Sequence, residues 1–249
     1  MRPEERAVRE ANRRVFEAKA FDHYEANPSI FESSRQREIG EILASAPRRG
    51  RLLDVGCGTG NVLRLARGLF GMCVGADLSL NLLRELRRRE GFPVVLSEAA
   101  FLPFRADSCD MVSMYALVHH LVDPRPSFRE AFRVLRDGGM LYLDHDPNWF
   151  FGRFYHVYYR VRHADRPGFG SREAEISEWH HTRTGGLDPR RIREWLRQAG
   201  FREVAIRYRI TTNPSLPPLF RVVRALLRAA ARVFPFRSLH THFLVLARK

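Results

Sequence analysis

Short apolar runs alternate with stretches of helical periodicity along the first three-fifths of the chain. The runs predict strands at 52–55 (LLDV), 72–77 (MCVGAD), 93–96 (PVVL), 110–115 (DMVSMY) and 139–145 (GMLYLDH). Apolar positions at helical spacing predict helices at 3–20, 34–46, 61–69, 79–89 and 125–136. This alternation is typical of an α/β protein with a parallel sheet and helices on both faces.

Cap residues mark several of the predicted helix ends. Ser79 is placed to cap the helix that follows it, and glycines are predicted to end helices at Gly91, Gly138-Gly139 and Gly200. Glycine suits these positions because it adopts the left-handed conformation that lets a helix stop and a strand begin.

The pattern changes after residue 147. Residues 149–163 are dense in aromatic side chains, and a helix (188–199), a strand (202–210), an amphipathic helix (218–234) and a last strand (241–249) follow. We therefore predict one domain. Its parts are N-terminal helices (1–46), a core (47–147), an aromatic insertion (148–186) and a C-terminal part (187–249) with a helical insertion at 211–241.

Composition narrows the class of protein. With 249 residues, 45% hydrophobic and 11% aromatic, the chain can fill a sizeable core, which excludes a disordered or fibrous protein. Its three cysteines include no close pair, which excludes a disulfide scaffold and the common zinc-finger spacings. The charged N-terminal stretch resembles neither a signal peptide nor a membrane span. We expect a cytoplasmic location, with the inner membrane face as an alternative.

The formal net charge of +14 is concentrated in one part of the chain. Residues 1–147 carry a net charge of +1, whereas residues 148–249 carry +13. This segregation predicts an anionic partner, which is a substrate, a lipid surface or a nucleic acid.

The most informative motif is LLDVGCGTGNVL at residues 52–63, where an apolar strand runs through a glycine loop into a helix. Glycines are needed where the backbone turns sharply and approaches a ligand. A dinucleotide fingerprint requires a third glycine at position 61, which is Asn61 here. Asp54 would also repel a pyrophosphate and attract an ammonium group. The loop therefore favours a ligand with a cationic amino-acid end and disfavours a nicotinamide-dependent oxidoreductase.

A second acid follows at the end of the next strand. Asp77 lies 21 residues beyond Gly56, close to the spacing at which an acid binds ribose hydroxyls. A strand-terminal Asp also commonly caps the next helix, so that role stays open at this stage.

This succession of motifs resembles the class I S-adenosylmethionine-dependent methyltransferases, in particular the small-molecule group that includes the ubiquinone and menaquinone pathway enzymes. The resemblance covers residues 45–147, and more loosely 185–210 and 242–249. It includes SEAAFLPF (97–104), SCDMVSMYALVHHL (108–121) and VLRDGGMLYLDHDP (134–147). It implies a Rossmann-like, doubly wound, mostly parallel seven-stranded sheet with an antiparallel last strand.

The resemblance also implies S-adenosyl-L-methionine as the cofactor and assigns its contacts. The glycine loop and Asp54 would hold the methionine part, Asp77 the ribose, and Glu98 the adenine amino group with Ala99 beside the ring. The family more often has Asp where this chain has Glu98. The cofactor-binding residues implied in this way are Asp54, Gly56, Cys57, Gly58, Gly60, Asp77, Leu78, Glu98, Ala99 and Met114.

Methyl transfer from a sulfonium requires mainly alignment of the acceptor and exclusion of water. A base is needed only when the nucleophile arrives protonated. Side chains at the carboxyl ends of the strands are the candidates for this role: Tyr115, His119, His120, Asp144 and His145. His145 is the first choice because it directly follows a strand. No ligand set of fixed spacing indicates a metal, so none is predicted.

The predicted acceptor is a small or lipid-like molecule. It is expected to be apolar, and an acceptor that also carries an anionic group is an alternative. The fourth strand ends in MYALVHH rather than the Asn-Pro-Pro-Tyr sequence associated with amino-group methylation of bases. No cysteine follows the fourth or fifth strand as RNA cytosine methylation would require. An RNA or DNA methyltransferase and a non-catalytic cofactor-binding protein stay open as alternatives.

The two insertions are expected to meet over the acceptor, because the fifth and sixth strands both end at the ligand edge. The first insertion brings the aromatic residues Trp149, Phe150, Phe151, Phe154, Tyr155, Tyr158 and Tyr159. The second brings a helix with arginines on one side (Arg221, Arg224, Arg228, Arg232) and apolar residues on the other (Phe220, Val223, Leu226, Leu227, Ala230, Phe234). Such a helix suits an anionic lipid interface. The alternatives are a lid or a surface helix packed on its own domain.

Overall fold

Seven strands form a single sheet in the computed structural model, which describes residues 2–18, 33–152, 172–210, 218–234 and 236–249. The spatial order is β3-β2-β1-β4-β5-β7-β6. The strands are β1 Arg51–Val55, β2 Met72–Asp77, β3 Val94–Leu96, β4 Cys109–Tyr115, β5 Leu135–Pro147, β6 Arg202–Arg209 and β7 His242–Arg248.

The pairing confirms the predicted fold class. The pairs β1–β2, β1–β4, β2–β3 and β4–β5 are parallel, whereas β7 is antiparallel to both β5 and β6. Since β6 therefore runs in the direction of β5, the chain leaves both strands at the same edge of the sheet. This edge is also the carboxyl edge of β1, β2 and β4, where open α/β sheets bind their ligands.

Helices cover both faces of the sheet. They are α1 Pro3–Ala18, α2 Ser33–Ala44, α3 Asn61–Ala66, α4 Leu80–Glu90, α5 Arg125–Val134, α6 Arg172–Ser177, α7 Pro189–Gln198 and α8 Pro218–Val233. Ser79 caps α4 as predicted, because its Oγ accepts from the Leu82 amide at 3.3 Å. Gly91 ends the same helix with a φ of 73°.

One predicted helix end is wrong. Helix α5 stops at Val134, and Gly138 and Gly139 lie inside β5 rather than at a helix terminus. The end of the chain explains the difference: the Gly138 amide donates to the Lys249 carbonyl at 3.2 Å, and the Lys249 amide donates to the Gly139 carbonyl at 3.0 Å. These two bonds hold the glycines in the sheet.

The core consists of two clusters, one on each face. Phe128 on α5 and Leu196 on α7 are buried in one cluster, and Leu43 on α2 and Leu86 on α4 are buried in the other. The fully buried Tyr142 on β5 belongs to the second cluster. Within the described residues, no helix has both the length and the apolar character that crossing a bilayer requires.

The start of the first insertion contacts the end of the second, and Asn148 makes these contacts. The side chain of Asn148 is completely buried, and its Nδ2 donates to the Arg237 and His240 carbonyls, both at 2.8 Å. Its backbone amide donates to the Thr241 carbonyl at 2.9 Å. Of the first insertion's aromatics, Trp149, Phe150 and Phe151 are half-buried beside it. Phe154, Tyr155, Tyr158 and Tyr159 lie outside the described residues.

Candidate cofactor and acceptor site

The glycine loop turns back over the end of β2. The Gly56 and Cys57 amides both donate to the Ala76 carbonyl, at 2.8 and 3.1 Å. Gly58 has a φ of 50°, and among the described residues other than its two neighbours no heavy atom lies within 4 Å of the position that a Cβ would occupy there. A Cβ on Gly60 would instead lie 2.5 Å from the Leu86 side chain. Gly58 therefore faces open space at the sheet edge, whereas Gly60 permits close packing on α4.

Asp54 lies beneath this loop and is almost completely buried. Its Oδ1 accepts from the Ser113 hydroxyl at 2.6 Å. Burial is the main cause that raises the pKa of Asp54 to about 7, and the nearby Asp77 adds to it. A buried carboxyl with this pKa is stabilised in its charged form by a cation, which agrees with the ammonium group inferred from the sequence.

Asp77 fixes the loop to the next helix. Its Oδ2 accepts from the Gly58 amide at 2.8 Å, and its Oδ1 accepts from the Ser79 amide at 2.9 Å. Burial raises its pKa, and these amide bonds oppose the rise. A carboxylate offers about four acceptor positions, so ribose hydroxyls can bind in addition. The bond to Gly58 was not predicted, although the position of Asp77 just before the helix cap indicated the one to Ser79.

The residues predicted near adenine differ in their surroundings. Glu98 forms an ion pair with Arg9 of α1 at 2.9 Å, and Leu78 and Ala99 are half-buried. Met114 is completely buried and packs in the first core cluster. The Arg9 partner was not predictable from local sequence because it lies on a helix 89 residues away.

Helix α1 lies across the cofactor edge and contacts the ends of three strands. Besides the Arg9 pair after β3, Glu17 accepts from the Leu80 amide at 2.7 Å after β2, and Asn12 donates to the His120 carbonyl at 3.1 Å after β4. Glu17 thereby stabilises the positive N-terminal end of α4.

On the acceptor side, three aromatic rings stack at the ends of β4, β5 and β7. His145 lies between Tyr115, with ring centroids 5.3 Å apart, and His242, at 4.9 Å. His145 has a φ of 64° where the β5–β7 register shifts, so a bulge turns its ring toward β4. Tyr115 is buried, and burial raises its pKa to about 12. The sequence analysis predicted Tyr115 and His145 but missed His242.

A group of charged side chains adjoins this stack, and its members other than Glu38 are largely buried. Asp144 accepts from Arg35 and from the Tyr142 hydroxyl, both at 2.5 Å, and Arg209 lies 3.6 Å away. Arg209 also pairs with Glu38 at 2.6 Å. Burial raises the pKa of Asp144, and Arg35 opposes that rise. Two arginines and two carboxylates therefore balance here, on three elements far apart in sequence.

His119 and His120 form a second group in the helical turn Val118–His120, which follows β4. His119 Nδ1 lies 2.9 Å from Asp146 Oδ1, and its Nε2 lies 3.5 Å from Glu178. His120 Nδ1 lies 2.8 Å from the Ser177 carbonyl. Both imidazoles are buried and held by fixed partners, and neither Asp146 nor Glu178 was predicted as a site residue.

Comparisons with known proteins agree with this geometry. Residues 53–143 match the model of a methyltransferase domain family. The chain is 31% identical over 129 residues (51% of this chain, 20% of the relative) to tRNA (carboxymethyluridine(34)-5-O)-methyltransferase alkbh8 of Xenopus tropicalis. It is 37% identical over 102 residues (39% of this chain, 43% of the relative) to a demethylmenaquinone methyltransferase of Roseiflexus castenholzii. The structure of a SAM-dependent methyltransferase from Thermotoga maritima superposes with a TM-score of 0.62 at 16% sequence identity. The superposition covers 96% of this chain and 99% of that one.

Residues 53–143 therefore belong to a methyltransferase domain family, and the fold is the one found in S-adenosylmethionine-dependent methyltransferases. The predicted family and its cofactor, S-adenosyl-L-methionine, are confirmed. The aligned stretch spans only about a fifth of the tRNA methyltransferase and less than half of the demethylmenaquinone methyltransferase. The two relatives also act on different classes of acceptor.

Proposed function

We propose that the protein transfers the methyl group of S-adenosylmethionine to a small, apolar acceptor held at an anionic lipid surface. The observation that carries the choice of acceptor is the exposure of apolar side chains along α8. Val222, Leu226 and Val233 are 56%, 64% and 70% exposed, and Phe234 and Phe236 next to them are also exposed. A helix packed by its apolar side on its own domain would bury these residues.

Charge on α8 supports the same proposal. Arg228 and Arg232 are exposed, α8 contains no acidic residue, and the side chains of Arg221 and Arg224 lie outside the described residues. Exposed apolar residues beside arginines are typical of helices that lie in the interface of an anionic membrane. Such a helix would bring the site to an acceptor that stays in the lipid.

In the proposed reaction, Asp54 would hold the amino end of the cofactor and Asp77 its ribose, and the space beside Gly58 would admit it. The acceptor lies beside Tyr115 and His145, at the ends of β4 and β5. These residues align the acceptor with the sulfonium methyl and exclude water. His145 serves as the base when the acceptor group is protonated.

A second candidate is methylation of RNA. It is favoured by the tRNA methyltransferase relative and by the net charge of +13 after residue 147. The two candidates differ in the binding they require: an RNA enzyme binds tRNA with strong salt dependence, and a lipid-surface enzyme prefers anionic vesicles to neutral ones.

The deciding experiment incubates the protein with methyl-labelled S-adenosylmethionine and separated lipid, small-molecule and RNA fractions of the source cell. We expect label in the lipid fraction. Label in RNA alone supports the second candidate. Cofactor binding without transfer to any fraction indicates a non-catalytic cofactor-binding protein.

A charge-reversal pair tests the role of α8. Arg228→Glu with Arg232→Glu should reduce binding to phosphatidylglycerol vesicles and activity on the labelled lipid, while the affinity for S-adenosylmethionine stays unchanged. The matched control is Arg84→Glu with Arg87→Glu, which makes the same charge change on exposed positions of α4. If wild-type protein binds anionic and neutral vesicles equally, the lipid surface is excluded.

A further inference from the structure

Two histidines and a glutamate converge beside the end of β4. The ligand atoms of His119, His120 and Glu178 all lie within 4.8 Å of one another. The histidines come from the helical turn Val118–His120, and Glu178 directly follows α6. We propose that these three side chains bind a divalent transition-metal ion of the Zn²⁺ type, independently of the acceptor proposed above.

The outer partners of the two imidazoles fit a metal site. The Ser177 carbonyl can only accept a hydrogen bond, so His120 Nδ1 at 2.8 Å carries the proton and Nε2 of the neutral ring carries the lone pair. Asp146 Oδ1 lies 2.9 Å from His119 Nδ1, so an ionised Asp146 would favour the same tautomer in that ring. Metal-bound histidines nearly always donate their other ring nitrogen to a carboxylate or a carbonyl in this way.

Both rings are also held in place before any ion binds. The His119 backbone amide donates to Asp146 Oδ1 at 3.0 Å, so one buried carboxyl fixes both the backbone and the ring. The ring of Phe16 packs edge-on against His120 with centroids 5.2 Å apart. Side chains fixed in this way lose little entropy when a ligand binds.

The donor set selects the class of ion. Imidazole nitrogens suit Zn²⁺ and its transition-metal neighbours, whereas Mg²⁺ and Ca²⁺ prefer oxygen ligands. Two histidines with one glutamate leave a fourth position for an oxygen ligand. Zn–N and Zn–O distances are about 2.0–2.2 Å, so the ligand atoms would move together by about 1 Å on binding. Glu178 is the partly exposed member, with 25% of its side chain accessible, and provides the entry path.

A charged pair between His119 and Glu178 is the competing explanation. It accounts for their 3.5 Å separation but not for the presence of a His120 ring nitrogen in the same group. The two explanations differ in what they predict for added metal, because only a three-ligand site binds one ion per chain and requires all three side chains.

The test titrates the full-length chain with Zn²⁺ by calorimetry after removal of metal with a chelator. We expect one equivalent to bind, and the Co²⁺ form to show visible absorption bands. Glu178→Gln and His120→Ala should each weaken binding at least tenfold. Asp146→Asn, which changes only an outer partner, should weaken it about 10–100-fold. Glu203→Gln and His240→Ala are the matched controls, since these residues lie on other elements, and both should bind like wild type.

Circular dichroism and S-adenosylmethionine affinity verify that each variant is folded. If His120→Ala does not fold, the near-isosteric Glu178→Gln decides the test alone, because its side chain is partly exposed. Absence of stoichiometric Zn²⁺ binding by the wild type overturns the proposal. So does unchanged affinity in folded Glu178→Gln, since the ion would then bind elsewhere.

Discussion

The cofactor side and the acceptor side of the sheet edge are built in different ways. The cofactor side is built from the ends of β1 and β2 and the loops that directly follow them, where Asp54, Asp77 and the backbone amides of the glycine loop lie close together. The acceptor side consists of side chains from elements far apart in sequence, such as Arg35, Asp144 and Arg209. One side therefore depends on local backbone geometry and the other on tertiary packing.

This difference separates two kinds of functional effect. Changes on the cofactor side should alter the affinity for S-adenosylmethionine, whereas changes on the acceptor side should alter turnover or stability and leave that affinity intact. The predictions below test this separation, beginning with the largest expected effect.

The largest effect is expected for His145→Ala. Removing a general base costs about 10²–10⁴-fold in rate, so turnover on the labelled acceptor should fall by that factor. The affinity for S-adenosylmethionine, measured by calorimetry, should stay within about twofold. His240→Ala serves as the control because it removes an imidazole outside the stack. Wild-type turnover in His145→Ala would show that His145 is not a base and that the enzyme acts by aligning the acceptor alone.

Arg35→Met should lower the free energy of unfolding by about 3–5 kcal/mol, because it breaks a buried ion pair and leaves the more distant Arg209, at 3.6 Å, as the cation beside Asp144. Denaturant unfolding measures this loss. Arg37→Met, at an exposed position of the same helix, should change stability by less than about 0.5 kcal/mol. Equal effects of the two substitutions would show that the charge group does not stabilise the fold.

Gly58→Asn should weaken S-adenosylmethionine binding by at least about tenfold, or ~1.4 kcal/mol. Asn tolerates the left-handed backbone, so the main change is a side chain in the open space at the loop. Gly68→Asn is the control, because Gly68 has a φ of 79° and also faces open space, but lies after α3. If both variants bind like wild type, the cofactor does not lie over Gly58.

The last prediction concerns pH. Because the pKa of Asp54 is about 7 in the folded chain and near 4 when unfolded, the folded state holds an extra proton between these values. The stability contribution of this carboxyl is therefore fully present below pH ~4 and is lost as pH rises through ~7. An ammonium ligand favours the ionised form, so affinity should rise with pH by up to about tenfold per unit and level off above ~7. Calorimetry across pH measures this, and Asp54→Asn should give a flat profile.

Most of the fold was predictable because strand and helix periodicities are local. The glycine loop, the Ser79 cap and the parallel strand–helix alternation depend on residues close together in sequence, whereas the antiparallel last strand was expected only from the family resemblance. Gly138 and Gly139 were misassigned because the bonds that hold them in β5 come from Lys249, at the other end of the chain.

The partners on the acceptor side were less predictable for the same physical reason. His119 was a candidate from its place after β4, but Asp146 and Glu178 reach it only through the topology and the position of α6. Likewise, no local pattern brings Arg9 to Glu98 or His242 to His145. Spacing rules detect ligand sets that lie within one helix or strand, whereas the residues of each of these groups come from several helices and strands.

The central claim is that the edge beside Asp54 and Gly58 binds a cofactor with a cationic amino-acid end. Calorimetry of the wild-type chain with S-adenosylmethionine, its demethylated product, NAD and NADP tests this claim directly. We predict that both methionine-derived ligands bind at one site per chain and that neither dinucleotide binds. Binding of NAD or NADP in place of S-adenosylmethionine would contradict the account.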